Sequence, residues 1–239
     1  MLQSLLSITF LTIASAYDLK TREVPNKIWV IFIPLSIITT TARLLTDPNQ
    51  FTLTLISIAI TALISIVIFY LGLYGGADAK ALITLAIAHP TPSNQGLVLP
   101  ILPLTTFNNS LILMVLTIPA ALVRNLYWTK KSHRPLFHGL EKEPAWRKVA
   151  ALLLCIKKSK SEIKPYNIPA ERIETIGGEM KRTLKIFQRV KEEDTSIDDT
   201  IPEDVFITYS LPMLPFLTIG YIVAITIGDL IFHTIRIFL

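Results

Sequence analysis

Long apolar runs separated by short polar turns fill most of the chain outside residues 128–204. A membrane-spanning helix needs about 20 mostly apolar residues, so these runs predict six transmembrane helices. Five are predicted at 1–17, 28–45, 51–73, from Ala79 for about a dozen residues, and 109–127; the sixth is predicted within 206–239.

One apolar stretch does not fit the helix pattern. Residues 97–107 contain Pro100 and Pro103, and proline is a poor residue for a helix interior. We expect this stretch to lie at the membrane interface or to re-enter the bundle, where other helices can satisfy its backbone groups.

Charge is concentrated in one segment. Residues 128–204 hold 16 of the 23 Lys and Arg residues and 13 of the 18 Asp and Glu residues, which predicts a soluble segment. Apolar residues at helical spacing predict one helix over Pro144–Lys157 and a second over Gly178–Val190. Gly177–Gly178 and the acidic run Glu192–Asp199 are predicted to be loop and linker.

The predicted fold is an all-α polytopic bundle of six transmembrane helices with a small cytoplasmic soluble domain between helices 5 and 6. The domains are predicted as 1–127 for helices 1–5 and their loops, 128–204 for the soluble domain, and 205–239 for helix 6.

Loop charges predict the orientation of the bundle. Loops on one side carry most of the basic residues and loops on the other carry only Arg43. Lys and Arg concentrate in cytoplasmic loops, so we expect the N-terminus outside and the soluble domain in the cytoplasm. The net charge of +5 fits loops that face an anionic membrane better than a nucleic-acid surface. The basic residues that set this orientation are Lys20, Arg22, Lys27 and Lys80.

Two aspartates end up on the same side of this predicted bundle. Asp18 ends the first apolar run, and Asp78 lies between the third and fourth runs. Paired carboxylates in a low-dielectric site share a proton, and such a pair can activate water and polarise a carbonyl group. Aspartates beside apolar runs are also common as helix caps, or they form a cation path in transporters, so the residues alone leave hydrolysis and transport both open.

The residues around the two aspartates resemble a family signature. Asp18-x-x-x-Arg22-x-Val24-Pro25-Asn26 and Gly75-Gly76-Ala77-Asp78-Ala79-Lys80 are similar to the motifs of the prepilin and preflagellin peptidases, which are Gly-x-Gly-Asp membrane aspartyl proteases. The match is close to the archaeal branch, the preflagellin (prearchaellin) peptidases. Residues 212–216, Pro-Met-Leu-Pro-Phe, are similar to the family's Pro-Phe element, while Ala77 replaces a motif glycine.

The resemblance implies roles for eight residues. Asp18 and Asp78 correspond to the catalytic pair. The supporting motif positions are Arg22, Pro25, Asn26, Gly75, Gly76 and Lys80. The two glycines are expected to permit a bend or a close approach that a side chain would resist.

The resemblance also implies an activity. The enzyme is expected to remove the short basic leader from preflagellin or type IV prepilin-like precursors of archaellum-type filaments, at the cytoplasmic face of the cell membrane. Its partners would be these precursors and the lipid bilayer, with no nucleic acid, and no oligomeric state is predicted. The zinc-binding cysteines and the methyltransferase segment of larger relatives are absent from the sequence, so no metal, cofactor or methyl transfer is expected; the single cysteine, Cys155, is expected to be a buried structural thiol.

Three alternatives remain. An ion or solute transporter could use the aspartates as a binding site, and a noncatalytic assembly factor could dock through the soluble segment. A presenilin-type protease shares the Tyr17-Asp18 and Gly-x-x-Asp features but carries a Pro-Ala-Leu element that this sequence lacks.

A third intramembrane carboxylate, Asp229, tests these alternatives. A helix from about Thr208 to Asp229 would rise roughly 30 Å, which would put Asp229 far from the pair. A helix–helix hydrogen bond, or a pairing with His233 or Arg236, is its expected role.

Overall fold

The structure is a computed structural model that describes residues 1–92, 99–163, 167–176, 179–186, 203–208 and 212–238. The chain divides into two compact units. Unit 1 comprises Met1–Met114 and Pro212–Leu239, and unit 2 comprises Val115–Leu211.

The described elements follow one another along the chain as helices first, then short strands, then helices again. They are α1 (Leu2–Thr21), α2 (Asn26–Thr46), a 3₁₀ turn (Pro48–Gln50), α3 (Phe51–Tyr70), α4 (Gly76–Ala88), α5 (Leu102–Val115), α6 (Thr117–Ser132), α7 (Ala145–Leu154), β1 (Cys155–Ser159), a 3₁₀ turn (Lys160–Glu162), β2 (Ile168–Pro169), β3 (Glu171–Ile176), β4 (Glu179–Leu184), β5 (Asp204–Thr208), α8 (Met213–Thr226) and α9 (Leu230–Phe238).

Four helical stretches in the described part of the chain are long and apolar enough to cross a membrane. They are Leu2–Thr21, Asn26–Thr46, Pro48–Tyr70 and Leu102–Ser132. Helix α8 is apolar but has 14 residues, and α4 has 13, which gives each a length of about 20 Å. Four of the six predicted crossings therefore have the length that a membrane requires.

Helix α3 buries small hydroxyl side chains and exposes its large apolar ones. Its buried residues recur every three or four positions, and its exposed face carries residues such as Leu63 and Ile56. A helix that faces water shows the opposite pattern, whereas small residues at helix contacts and apolar residues outside are typical of helices in lipid. The buried residues are Thr54, Ser57, Thr61 and Ser65.

Helix α4 is the central element of unit 1. It packs against α1, α2, α3 and α8, and it contributes Ala81, Leu82 and Leu85 to a buried apolar core. Phe10 from α1, Trp29 from α2 and residues of α8 complete this core.

The far end of α4 is held by hydroxyl groups from its neighbours. The helix ends at Ala88, and its last carbonyl groups have no partner within the helix. The Thr40 hydroxyl donates to the Ile87 carbonyl at 2.6 Å, and the Ser57 hydroxyl donates to the Pro90 carbonyl at 2.6 Å. The two bonds explain how so short a helix can end among apolar side chains.

Helices α5 and α8 cross in close contact at Gly220. A Cβ atom at this position would lie 2.7 Å from the Thr106 carbonyl oxygen and 2.9 Å from the Ser110 nitrogen, so only glycine fits. Beyond the crossing, the Asn109 side chain donates to the Gly228 carbonyl at 2.9 Å and accepts from the Leu230 nitrogen at 2.9 Å.

Unit 2 contains a small antiparallel sheet beside α6 and α7. The strand order is β1-β5-β2, and β3 and β4 form a separate antiparallel pair. Strand β5 is buried on both faces: Phe206 packs with Cys155 and Leu140 in one cluster, and Val205 and Ile207 pack in another. Cys155 is fully buried, as expected, and burial raises the pKa of its thiol to about 12.

A buried ion cluster joins the strands of unit 2. The Glu171 carboxylate accepts from Arg182 at 2.6 Å, from Lys157 at 3.3 Å and from the Phe206 nitrogen at 2.6 Å. A buried carboxylate requires such partners, because an unpaired charge in the interior is strongly destabilising. These contacts connect β1, β3, β4 and β5 through one carboxylate, which gives the cluster a structural role.

The prediction that 97–107 is a poor helix former is wrong from residue 102 onward. Helix α5 begins at Leu102, and Pro103 lies in its first turn, where a proline loses no intrahelical hydrogen bond. Residues 97 and 98 lie outside the described part of the chain.

The soluble segment is not all-α. The helix predicted over Gly178–Val190 is wrong, because Glu179–Leu184 forms strand β4 and pairs with β3 from Ile176↔Glu179 to Glu171↔Leu184. A Gly-Gly pair between two short runs that contain β-branched residues is a sequence signal of a β-hairpin. The linker prediction for Glu192–Asp199 lies outside the described residues.

The sixth predicted helix begins later than expected and is interrupted. Residues 204–208 form β5, in which β-branched and aromatic side chains favour a strand. Helix α8 begins only after Pro212 and ends at Thr226, and α9 begins at Leu230. The continuous helix expected from Thr208 to Asp229 is therefore wrong.

Candidate active site

Asp18 lies in the last turn of α1 and is half-buried. The helix ends at Arg22, a left-handed residue with φ 60° whose nitrogen donates to the Asp18 carbonyl at 3.2 Å. A carboxylate in the last turn is unfavourable toward the helix dipole, so helix capping does not explain an acid at this position.

The start of α8 provides a donor for Asp18. The Leu214 nitrogen donates to Asp18 Oδ2 at 3.3 Å. The first N–H groups of a helix have no partner within the helix and favour anions. Pro215 has no N–H, so few donors remain in this turn, and Leu214 supplies one of them. The Pro-Phe element is visible in the sequence, but the donor is not, because a backbone N–H leaves no mark on residue type.

Helices α1 and α8 are joined one turn below Asp18. The hydroxyl groups of Ser15 and Thr218 form a buried hydrogen bond of 2.7 Å, and Thr218 also donates to the Leu11 carbonyl at 3.2 Å. These bonds fix the height of Leu214 relative to Asp18.

Asp78 lies in the first turn of α4 and accepts from the Gly75 nitrogen at 3.1 Å. Asp78 therefore caps its own helix, as the capping alternative predicted, and an acid at a helix N-terminus is favoured by the dipole. Asp78 lies outside the four helices long enough to cross a membrane. Burial raises the pKa of the Asp78 carboxyl to about 6 against the opposing effect of the Gly75 hydrogen bond.

The two carboxylates interact electrostatically. The negative charge of Asp18 adds to the increase in the pKa of Asp78. Their helices, α1 and α4, pack in one core of unit 1. An acid whose proton affinity is raised by a neighbouring carboxylate can hold a proton while its neighbour is ionised, which suits water activation.

Two supporting motif residues also meet. Lys80 Nζ donates to Asn26 Oδ1 at 2.8 Å. Asn26 is the first residue of α2 and follows Pro25, whose φ of −59° and ψ of 136° place it at the helix N-cap. This hydrogen bond connects the beginning of α2 to the first turns of α4, beside Asp78.

We expected Gly75 and Gly76 to permit a bend or a close approach, and within the chain itself this expectation is wrong. Gly75 has φ −74°, and Gly76 is helical without a positive φ. A Cβ on Gly75 would lie 3.4 Å from Asp78 Oδ2, and one on Gly76 would lie 3.6 Å from Phe69, which are ordinary contacts. Neither the bend nor the packing of this turn requires glycine.

Tyr74 is a further neighbour of the site, and no role for it follows from the sequence motif. Its ring packs edge-on against Phe107 of α5, with centroids 5.8 Å apart. Burial and then the Asp78 charge raise the pKa of the Tyr74 hydroxyl to about 12. An aromatic residue directly before a motif glycine was its only sequence signal.

Asp229 lies at the other end of α8 from the pair. It is buried, and its Oδ1 accepts from the Ile231 nitrogen at 2.9 Å, so it caps α9 rather than pairing two helices. Leu214 and Asp229 are separated by most of α8, which is roughly 20 Å at 1.5 Å per residue. Asp229 remains distant from Asp18 although the helix is shorter than predicted.

Two family models match the chain. The type IV leader peptidase family matches residues 5–118, and the archaeal peptidase A24 C-terminus, type II, matches residues 148–230. A comparison with curated proteins found no match. The first match contains Asp18, Asp78 and the six supporting motif positions.

The family match indicates a protease, and the apolar helices indicate a membrane protein. The chain belongs to the type IV leader peptidase family, whose substrates are pilin-like precursors. Both matches agree with the resemblance to archaeal preflagellin peptidases.

Replacing Asp78 with Asn should stabilise the protein at alkaline pH. The folded protein holds the Asp78 proton up to about pH 6, whereas the ordinary pKa is 3.8. As the pH rises from 4 to 6, the unfolded chain releases this proton before the folded protein does, so the free energy of unfolding falls. The loss levels above pH 6 at about 3 kcal/mol.

Thermal unfolding of Asp78→Asn and the unmodified protein in detergent at pH 4 and pH 8 measures this effect. The variant should have the higher Tm at pH 8, and the difference should shrink at pH 4. Glu23→Gln, which changes an exposed carboxyl, is the control. An equal Tm difference at both pH values would contradict the assignment.

Proposed function

We propose that the protein is an aspartyl endopeptidase that removes the short basic leader from preflagellin or related prepilin-like precursors. The observation that carries the proposal is the placement of Asp18 and Asp78. They come from different helices, they interact electrostatically, and each accepts a backbone N–H at a helix end. The family match supports the leader as the part removed.

The proposed mechanism assigns a different role to each acid. Asp18 is ionised and takes a proton from water, and the water oxygen bonds to the carbonyl carbon of the scissile peptide. The proton held by Asp78 passes to the carbonyl oxygen. When the C–N bond breaks, the proton on Asp18 moves to the leaving amine and a hydroxyl proton returns to Asp78. One water is consumed and both acids regain their first state.

The proposed positioning residues hold the acids in place. Leu214 donates to the ionised Asp18 through its N–H, which lowers the cost of a charge near hydrocarbon. The Lys80–Asn26 hydrogen bond fixes the first turns of α4 relative to α2. Since Gly75 and Gly76 are not required by the chain, we propose that they leave room for the extended substrate backbone beside Asp78.

We propose that the basic leader approaches from the cytoplasm, where the two acids attract it. The hydrophobic segment after the cleavage site would then pack among the helices. In this arrangement α4 and α8 serve as the fourth and sixth crossings, and the N-terminus is outside. For the whole chain we propose three domains: 1–127 for helices 1–5, 128–204 for the soluble domain and 205–239 for helix 6.

Single substitutions of three acids distinguish a protease from a transporter. Asp18→Asn and Asp78→Asn should each abolish cleavage of a preflagellin-like precursor, because the dyad needs one negative charge and one proton. Asp229→Asn should cleave at a near-normal rate, because Asn is also a good helix N-cap and the residue is remote from the pair. The measurement is product mass and rate in proteoliposomes at matched protein level.

If Asp229→Asn lost as much cleavage as the other two variants, the result would favour a transporter with a cation path across the membrane. Activity in either Asp18→Asn or Asp78→Asn would show that the pair is wrongly assigned.

Reporter fusions test the orientation. A reporter placed after Lys131 should be cytoplasmic, and one placed after Asn49 should be external, because basic residues concentrate on one side of the predicted bundle. Reporter activity in intact cells measures both positions. Both reporters on one side of the membrane would contradict the six-crossing arrangement.

A further inference from the structure

Helix α7 in unit 2 carries an exposed apolar face. Trp146 and Val149 are 59% and 54% exposed, and Leu153, one turn further along the same face, is partly exposed. Positions i, i+3 and i+7 lie on one side of a helix. The opposite side packs inward through the fully buried Ala151. A large exposed tryptophan with aliphatic neighbours on one face indicates a contact that the rest of unit 2 does not supply.

The C-terminal end of α7 is fixed to α6. The buried side chain of Asn125 donates to the Leu152 carbonyl at 3.1 Å and to the Cys155 carbonyl at 2.8 Å, and it accepts from the Lys157 nitrogen at 2.9 Å. One side chain therefore satisfies a carbonyl in the last turn of the helix and two backbone groups of strand β1. The height of α7 along α6 is set by this contact.

Helix α6 belongs to a stretch that is longer than a membrane is thick. The stretch Leu102–Ser132 has 31 residues, whereas a membrane-spanning helix needs about 20. About ten residues therefore remain for the interface, and Asn125 lies among the last ten. Tyr127 is exposed there, and the exposed Lys130 and Lys131 follow. Aromatic residues followed by basic ones are typical of a membrane boundary.

Basic side chains surround the apolar face of α7. Arg147 and Lys148 lie on the helix, Lys142 precedes it, and the Arg147 guanidinium lies 5.2 Å from the centre of the Trp146 ring. Two acids lie nearby: Glu143 pairs with Arg147 at 3.2 Å, and Glu141 interacts with Lys148, so the three basic residues exceed the acids by one. The surplus of positive charge favours anionic lipid and disfavours the basic leader of a precursor as the occupant of this face.

We propose that α7 is a membrane-surface anchor that lies in the headgroup region of an anionic leaflet. Trp146, Val149 and Leu153 insert at the boundary of the acyl chains, and the surrounding Lys and Arg residues contact lipid phosphates. The anchor holds unit 2 at the membrane surface through a contact separate from the α6 span. The proposal requires the stretch Leu102–Ser132 to cross the membrane, and it is independent of proteolysis.

Fluorescence quenching in vesicles tests the anchor. The chain has three tryptophans, so Trp29→Phe/Trp128→Phe leaves Trp146 as the only one. The full-length variant is reconstituted into anionic vesicles with lipids brominated on the acyl chain. Roughly a twofold loss of Trp146 emission is expected, because interfacial helices bury their apolar face about 5–10 Å deep. Aqueous acrylamide should quench this emission weakly.

Substitution of the basic residues provides the matched comparison. Lys142→Gln/Lys148→Gln in the same single-tryptophan background should reduce quenching by bromolipid, as should zwitterionic vesicles in place of anionic ones. If the double Phe variant does not fold, Trp146→Phe alone should lower the lipid-quenched fraction of total emission.

Two results would overturn the proposal. Emission quenched by acrylamide but not by bromolipid would place Trp146 in water. Emission that neither agent quenches would show that protein covers this face, either another part of this chain or a second copy. Neither readout depends on cleavage of a precursor, so failure of the protease assignment is distinguishable from failure of the anchor.

Discussion

Helix α4 has 13 residues, so both of its ends have to be satisfied by groups other than its own backbone. At the far end, Thr40 and Ser57 provide hydroxyl donors for the carbonyls of Ile87 and Pro90. At the near end, the Asp78 carboxylate accepts from the Gly75 nitrogen. Since lipid offers no hydrogen-bond partners, these contacts determine where the helix can end. The position of the proposed catalytic acid therefore follows from how a short helix is terminated.

Asp18 depends on the complementary arrangement at α8. Its place in the last turn of α1 is unfavourable for an acid, and the N–H of Leu214 at the start of α8 offsets that cost. The Ser15–Thr218 hydrogen bond joins the same two helices one turn away. Close packing of α8 on α5 at Gly220 secures the other side of α8. The two acids of the site are therefore held in the same way: each accepts a backbone N–H at the beginning of a helix.

The apolar runs predicted α1, α2 and α3 well, because in lipid the length of an apolar segment decides where a helix forms. The motif residues predicted that Asp18 and Asp78 are neighbours, because two motifs of one family signature are expected to form one site. The Leu214 donor could not be predicted, because it depends on the direction of a helix rather than on a side chain. The strand β4 was missed because pairing with β3 outweighed the helical spacing of its own residues.

The glycine motif shows a different limit of sequence reasoning. A bend and a close approach of backbone or substrate were the expected reasons for Gly75 and Gly76, yet both residues have ordinary dihedral angles and room for a methyl group. The chain itself does not impose glycine at these two positions, so room for the substrate is the reason that we propose. Only a structure distinguishes these two reasons, because the same residue type serves both.

A transition-state analogue tests most directly whether the two acids act together. A precursor peptide with a hydroxyl-bearing tetrahedral carbon in place of the scissile carbonyl mimics the intermediate that both acids would contact. The account predicts that the unmodified protein binds this analogue at least about 100-fold more tightly than the parent peptide. Asp18→Asn and Asp78→Asn should each lose that advantage while retaining affinity for the parent peptide. Equal preference for the analogue in either variant and the unmodified protein would contradict a shared dyad.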